Sequence, residues 1–426
     1  MIRAVLGHTA MMSWGITLTD IKTVFLHALR PPPPKGTEEV IVVPPKIFVQ
    51  AGICSPDERW RVRRALYGFQ TSPALWAGHR DGTMKGFKWT HLGIQYMVKQ
   101  TPEGNLWKIW THDGKGNMLD CVGHVIVYVD DVLVAACEDV RKGFLGRLRE
   151  EWATSSPEEV TCNGWVRFCG FELRWDQEGF LHVAQPSYTH ELLERHGITG
   201  KRVAPMSKVG VPEHEENDIT PSDIKAAQGI AGELLWLSVR SRPDISFSVG
   251  QIGRQVSHHP KWALQVGRGV LEYLASTPNH GLVYGPCVKD RGPGGILPIE
   301  RHPHLIEAYS DISFAPQGGR SFQGVVILYA GCPLQWESGH QSFATMSTAG
   351  SELLGYTEAT TMAQSVEAVL KDLKVIHGDF TFEKLLCGDN TSAISILTKP
   401  DGPWRTRHLR LRSTCLKEKL NDPNSG

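Results

Sequence analysis

Long apolar runs are missing from this 426-residue chain. None approaches the roughly 18–20 residues that a membrane-crossing helix requires, so no membrane-embedded class is expected. The N-terminus has no convincing signal peptide, so no secretory route is expected either. Cysteine is sparse: there are nine, an odd number, scattered and without a C-x-x-C pair. Neither a disulfide framework nor a zinc site is expected, and a reducing, cytoplasmic compartment is the default. Charge of one sign is not in excess, because 45 Lys and Arg balance 45 Asp and Glu. The total therefore advertises no polyanionic partner, and only local patches could do so. What is present is ordinary for a globular protein: 41% hydrophobic and 21% charged residues. The length suits about two or three domains, each with its own core.

The most informative stretch is Val125-Ile-Val-Tyr-Val-Asp-Asp-Val-Leu-Val134. Two β-branched apolar runs flank adjacent carboxylates, which reads as strand, tight turn and strand with Asp130 and Asp131 at the tip. Neighbouring carboxylates raise each other's pKa unless a cation lies between them. A hard divalent ion with oxygen ligands, Mg²⁺ or Mn²⁺, is the chemistry this pattern suits. The competing reading is an Asp-Asp turn without chemistry.

The rest of the chain supplies further candidates. Residues 4–12 read as a helix, and the strand Gly15-Ile-Thr-Leu-Thr19 delivers Asp20, by itself as readily a strand-end or capping acid as a ligand. Pro31–Pro34 is a break. Ser72 before Pro73 suggests the start of a helix that carries Trp76. Arg59, Arg61, Arg63 and Arg64, interleaved with Trp60 and followed by Tyr67, suit a phosphate backbone with stacked bases, or else a solvated strand. A helix is expected over 139–152, a hairpin of strands 168–175 and 180–183, and mostly helix from 188 to 278. The Gly- and Pro-rich stretch 286–304 is the best linker. Beyond it, three strands, a helix over 351–373, a strand ending at Asp389 and a helix over 392–397 form an α/β or α+β pattern. Asp311, Glu352 and Asp389 fall on three of those elements, either as caps or as a second metal-binding set.

Taken in order, these blocks resemble a known family. Asp20-Ile-Lys-Thr-Val-Phe-Leu26, Ala65-Leu-Tyr-Gly-Phe69, Tyr128-Val-Asp-Asp131 and Arg242-Pro-Asp-Ile245 resemble the reverse transcriptase of copia-type LTR retrotransposons. Ser310-Asp311, Ser347-Thr-Ala-Gly-Ser-Glu-Leu353, Gly388-Asp-Asn-Thr-Ser-Ala393 and Arg405-Thr-Arg-His408 resemble the RNase H domain that follows it in the same Pol polyprotein. The resemblance implies an α+β chain. Its parts would be a polymerase palm at 1–185 with truncated fingers, a helical thumb and connection at 186–285, the linker at 286–304 and an RNase H-like α/β domain at 305–426.

By the same resemblance Asp20, Asp130 and Asp131 would hold two divalent ions for nucleotidyl transfer. Asp311, Glu352 and Asp389 would hold two more for cleavage of the RNA strand. Phe25 would exclude a ribose 2′-hydroxyl, and Tyr67 and Gly68 would meet the incoming base and the template. Implied partners are an RNA or RNA–DNA template-primer and deoxynucleoside triphosphates. The basic residues Arg405, Arg407, His408, Arg410 and Arg412 suit contacts to the phosphates of a hybrid, or else a charged helix face on the surface. The sequence also departs from the family. Only a short segment precedes Asp20 where fingers would lie, Gln70 replaces a Lys, Gly350 replaces a Glu, and Arg410 stands where a fourth acid would be. The alternative expectation is therefore a catalytically inactive retroelement remnant that at most binds nucleic acid.

Overall fold

The computed structural model describes residues 1–32, 40–206, 210–212, 218–285, 299, 301–316, 319–373, 381–399 and 409–421. Most of the 286–304 stretch, Pro33 and Pro34, and Arg405, Arg407 and His408 lie outside the described residues. The protein is mixed α and β, with antiparallel sheets and twelve α-helices among the described residues. None of those helices is long and apolar enough to cross a membrane. The chain divides into two compact units, Gly15–Glu159 and Met1–Trp14 with Val160–Gly426.

The unit Gly15–Glu159 is built on a seven-stranded sheet. In spatial order its strands are Lys88–His91, Ile94–Gln100, Leu106–His112, Met118–Tyr128, Asp131–Ala136, Gly15–Asp20 and Glu158–Glu159, each antiparallel to the next. Val125, Val127, Val132 and Val134 join a core with Trp76 and Met84 of helix Ser72–Met84 and Val140, Phe144 and Leu148 of helix Glu138–Glu151. The alternate residues Ile126, Leu133 and Ala135 are buried as well. Strands covered on both faces need apolar side chains on both, which is why this stretch lacks an in–out alternation. Helix Ser72–Met84 starts one residue earlier than its Pro73 suggests. The buried Ser72 hydroxyl does not cap it; it donates to the Leu66 carbonyl at 2.6 Å and ties the preceding loop to the helix.

The other unit holds two four-stranded sheets and a helical core. Its first sheet runs Val166–Phe168, Phe171–Trp175, Leu181–Ala184 and Leu282–Tyr284, all antiparallel. The expected single strand over 168–175 is thus two strands, because Cys169 (φ 49°) and Gly170 (φ 77°) turn the chain. An isolated glycine in a strand pattern was the local signal for that turn. Helices Pro186–Arg195, Pro221–Ser238, Ser246–Gln255 and Pro260–Ser276 pack around Leu192, Leu234, Ile252 and Val270. Pro221 and Pro260 begin their helices, where a missing N–H has no intrahelical partner to lose. The first helix, Ile2–Met11, packs in this unit against Leu282–Tyr284 and Cys332–His340.

The second sheet orders its strands Cys332–His340, Phe322–Tyr329, Leu305–Ser313 and Glu383–Cys387. The first three are antiparallel, and the last runs parallel to Leu305–Ser313. A parallel neighbour requires a crossover. The chain makes it through the helix Thr348–Asp372, which packs on Leu305–Ser313 and Phe322–Tyr329. Gly355 sets the closeness of that packing: a Cβ there would lie 2.5 Å from Ser310 Oγ and 2.7 Å from Ile312 Cδ1. Beneath the sheet, Arg301 and Glu307 form a covered ion pair at 2.8 Å, and the Tyr309 hydroxyl donates to Glu307 at 2.7 Å.

Two carboxylate clusters as candidate functional sites

The first cluster lies at one end of two adjacent strands of the seven-stranded sheet, Asp131–Ala136 and Gly15–Asp20. Asp20 ends its strand and Asp131 begins the neighbouring one, and the two are cross-strand partners. Asp131 also pairs with Tyr128, so the turn consists of Val129 and Asp130 alone. The hairpin tip is therefore shifted by one residue from the expected Asp130–Asp131. Val129 takes φ 56°, a left-handed conformation unfavourable for a β-branched residue and not readable from sequence. The Asp130 carbonyl accepts the Ile21 N–H at 2.9 Å. On the other side of Asp20, the Ser155 hydroxyl accepts its N–H at 2.9 Å, and its carbonyl accepts the Ser155 N–H at 2.9 Å.

The electrostatics follow from this crowding. Burial, a hydrogen bond to the Asp20 carboxylate and the charges of Asp130 and Asp20 push Asp131 up to about 6. Every charge that moves Asp131 is another carboxylate, so a cation would be favoured there. Phe25 and Tyr67 also meet: Phe25 is buried, Tyr67 is exposed, and their rings stand edge to face at 4.6 Å. Gly68 beside them takes φ +91°, which a side chain would strain.

The second cluster lies at the sheet of the other unit. Asp311 lies within the strand Leu305–Ser313, and Asp389 lies two residues past the strand Glu383–Cys387. Glu352 sits one turn deeper than its expected first-turn position, because the helix starts at Thr348, capped by Ser347. Glu352 is 3% exposed, and its Oε2 has no hydrogen-bond partner among the described residues. Burial first, then the charges of Asp389 and Asp311, push it up to about 7. Tyr356, one turn along, is raised to about 12 by burial and by the same three acids. Its hydroxyl packs over Gly388, where a Cβ would lie 2.2 Å away. Both clusters thus bring carboxylate oxygens together, exposed or half-buried except for the buried Glu352, and oxygen donors of this kind suit a hard dication. Among the described residues no three His, Cys, Asp or Glu surround a single point as a ready metal shell.

The sequence placed Trp76 on a helix without giving it a role, and did not single out Arg80. Trp76 and Arg80 donate to the carbonyls of Val129 (2.7 Å) and Val127 (3.2 Å) from one face of helix Ser72–Met84. Their i, i+4 spacing was the available signal. In the basic stretch, Arg59 donates to the Pro56 and Glu58 carbonyls, and Arg64 to those of Leu26 and His27. Arg59, Arg61, Arg63 and Arg64 are all exposed. Of the C-terminal basic residues, Arg410 and Arg412 lie at the start of helix Arg410–Asn421, with Arg412 over the Phe343 ring at 4.9 Å.

Over nearly its whole length the chain is similar to retrovirus-related Pol polyproteins of transposons. One such relative is the Pol polyprotein from transposon RE2 of Arabidopsis thaliana, 26% identical over 417 residues that make up 96% of this chain. Another is that from transposon TNT 1-94 of Nicotiana tabacum, 22% identical over 438 residues and 99% of this chain. The putative transposon Ty5-1 protein of Saccharomyces cerevisiae is 25% identical over 323 residues, covering 75% of this chain and 91% of that protein. The chain spans about a quarter of the length of the Arabidopsis polyproteins (25%) and 29% of the Nicotiana one. No family model matches the chain.

Proposed function

We propose that the chain is an RNA-directed DNA polymerase with an attached RNase H, both of retroelement origin. In this reading residues 1–185 are the palm, 186–285 the thumb and connection, and 305–426 the RNase H-like domain. The observation that carries it is the pairing of Asp20 with Asp131 beside the Asp130 turn, acids more than a hundred positions apart in sequence. Asp20, Asp130 and Asp131 would hold two magnesium or manganese ions, and Asp311, Glu352 and Asp389 would hold two more. When bound, such ions lower the pKa of an attacking hydroxyl or water and neutralise charge on the phosphate. The chain's own part is to hold the carboxylates at a rigid strand end, so that little reorganisation accompanies phosphate binding. Phe25, with Tyr67 against its edge, forms the wall that would meet the sugar of an incoming deoxynucleoside triphosphate. Exposed Arg59, Arg61, Arg63 and Arg64 would track the phosphates of an RNA or RNA–DNA template-primer in an intracellular setting.

Extension of a DNA primer on an RNA template in Mg²⁺ tests the reading. Extension by the native chain that Asp130→Asn reduces at least a hundredfold supports it; folded native protein that does not extend the primer contradicts it. The second reading, an inactive remnant that binds nucleic acid, is favoured by Arg410 in place of an acid and by the absence of a ready metal shell among the described residues. It predicts binding of the template-primer with neither extension nor cleavage.

A further inference from the structure

We propose that Trp76 is a positioning residue for Asp130, acting through the peptide plane of the turn. This inference rests on the reading of Asp20, Asp130 and Asp131 as a metal-holding set. The turn has only two residues, so the Val129 carbonyl belongs to the peptide that leads directly into Asp130. That carbonyl accepts the Trp76 indole N–H at 2.7 Å. The next peptide plane, on the other side of Asp130, is held by the Ile21 N–H at 2.9 Å. Asp130 is thus fixed from both sides, by a side chain from a helix and by a backbone group from the Asp20 strand. One helical turn on, Arg80 holds the Val127 carbonyl, so the same helix face steadies the strand that enters the turn.

The hold has something to oppose. Val129 lies at φ 56°, and a β-branched residue there has a standing tendency to relax toward negative φ. Relaxation would swing the peptide before Asp130 and move its carboxylate away from Asp20 and Asp131. The indole itself cannot move aside easily. Trp76 is fully buried, packs edge-on against Trp152 at 5.4 Å and is flanked by His27 and His79. Phenylalanine could fill much of this space, but it has no N–H to offer the carbonyl.

The test compares Trp76→Phe, and the native chain with Trp76 replaced by benzothienylalanine, which keeps the ring shape and removes the N–H. Phe144→Leu, in the same core but away from the turn, serves as the control for general loosening. Two readouts are taken on full-length protein without nucleic acid: hydrogen exchange at the Ile21 amide, and Mn²⁺ affinity by water-proton relaxation. Loss of one hydrogen bond predicts an Ile21 amide exchanging about fivefold faster, relative to amides of Ile94–Gln100, and an Mn²⁺ affinity about fivefold weaker. The Phe144→Leu control should leave both unchanged. Native values in both Trp76 variants, or equal changes in the control, overturn the proposal. If Asp131→Asn leaves Mn²⁺ affinity unaltered, the metal reading fails by itself, and Ile21 exchange alone decides whether Trp76 holds the turn.

Discussion

Asp131 and Glu352 keep protons at pH values where an isolated exposed carboxyl would have lost them, because loss of water and the charge of neighbouring carboxylates disfavour the ionised form of each. The unfolded values are near 4, so between pH 4 and pH 7 the folded state binds more protons than the unfolded one. The stability these two groups supply is therefore full below about pH 4 and lost as pH rises through about 6 for Asp131 and about 7 for Glu352. Asp131→Asn and Glu352→Gln remove the crowded charge while keeping the shape. In metal-free buffer at pH 8 each should stabilise the protein by about 1 kcal/mol, an effect that shrinks toward pH 4. Urea midpoints at pH 5 and pH 8 check this; a variant with the same pH slope as the native chain contradicts the assignment. Stability gained by removing a carboxylate is a recurrent sign of a site arranged for function rather than for folding.

Elements decide how closely these acids approach. The helix Thr348–Asp372 carries Glu352 against the strand of Asp311 only because Gly355 leaves room over Ser310 and Ile312. Gly355→Ala should cost about 1–3 kcal/mol of stability by urea titration. It should also depress hybrid cleavage more than primer extension, since it separates the acids of one cluster and leaves the other intact. In the helical core, buried Arg242 donates from Nε and Nη2 to Asp244 and from Nη1 to the Thr277 carbonyl. Burial alone would raise Asp244, but the Arg242 hydrogen bonds and charge, helped by the Tyr273 hydroxyl, outweigh it and hold Asp244 below its usual range. Its contribution is present above about pH 4 and lost as acid protonates it. Arg242→Ala should therefore destabilise by about 3 kcal/mol at pH 7. Elements with a local signal were legible in the sequence: the apolar runs around Tyr128–Asp131, prolines at helix starts, and the strand–helix–strand order after residue 304. The one-residue shift of the turn was not, because it depends on a strained Val129 that only the surrounding packing enforces. The deeper seat of Glu352 was missed because Ser347, four residues before the expected start, caps the helix.

At the scale of the whole molecule, the formal charge of zero leaves nucleic-acid affinity to local groups. Arg63→Ala should lower the slope of log affinity against log salt by about 1 on a template-primer, without altering base preference. The pairing of Asp20 with Asp131 and the docking of helix Ile2–Met11 on Leu282–Tyr284 were beyond reach of local patterns, since both join distant parts of the chain. Only the family likeness pointed to the first, and nothing pointed to the second. The most direct measurement is a crossed assay on one preparation, with primer extension and hybrid cleavage read side by side for the native chain, Asp131→Asn and Asp389→Asn. Extension lost only in Asp131→Asn, with cleavage lost only in Asp389→Asn, is the predicted result. Loss of neither activity in either variant, or of both in each, would contradict two independent carboxylate sites.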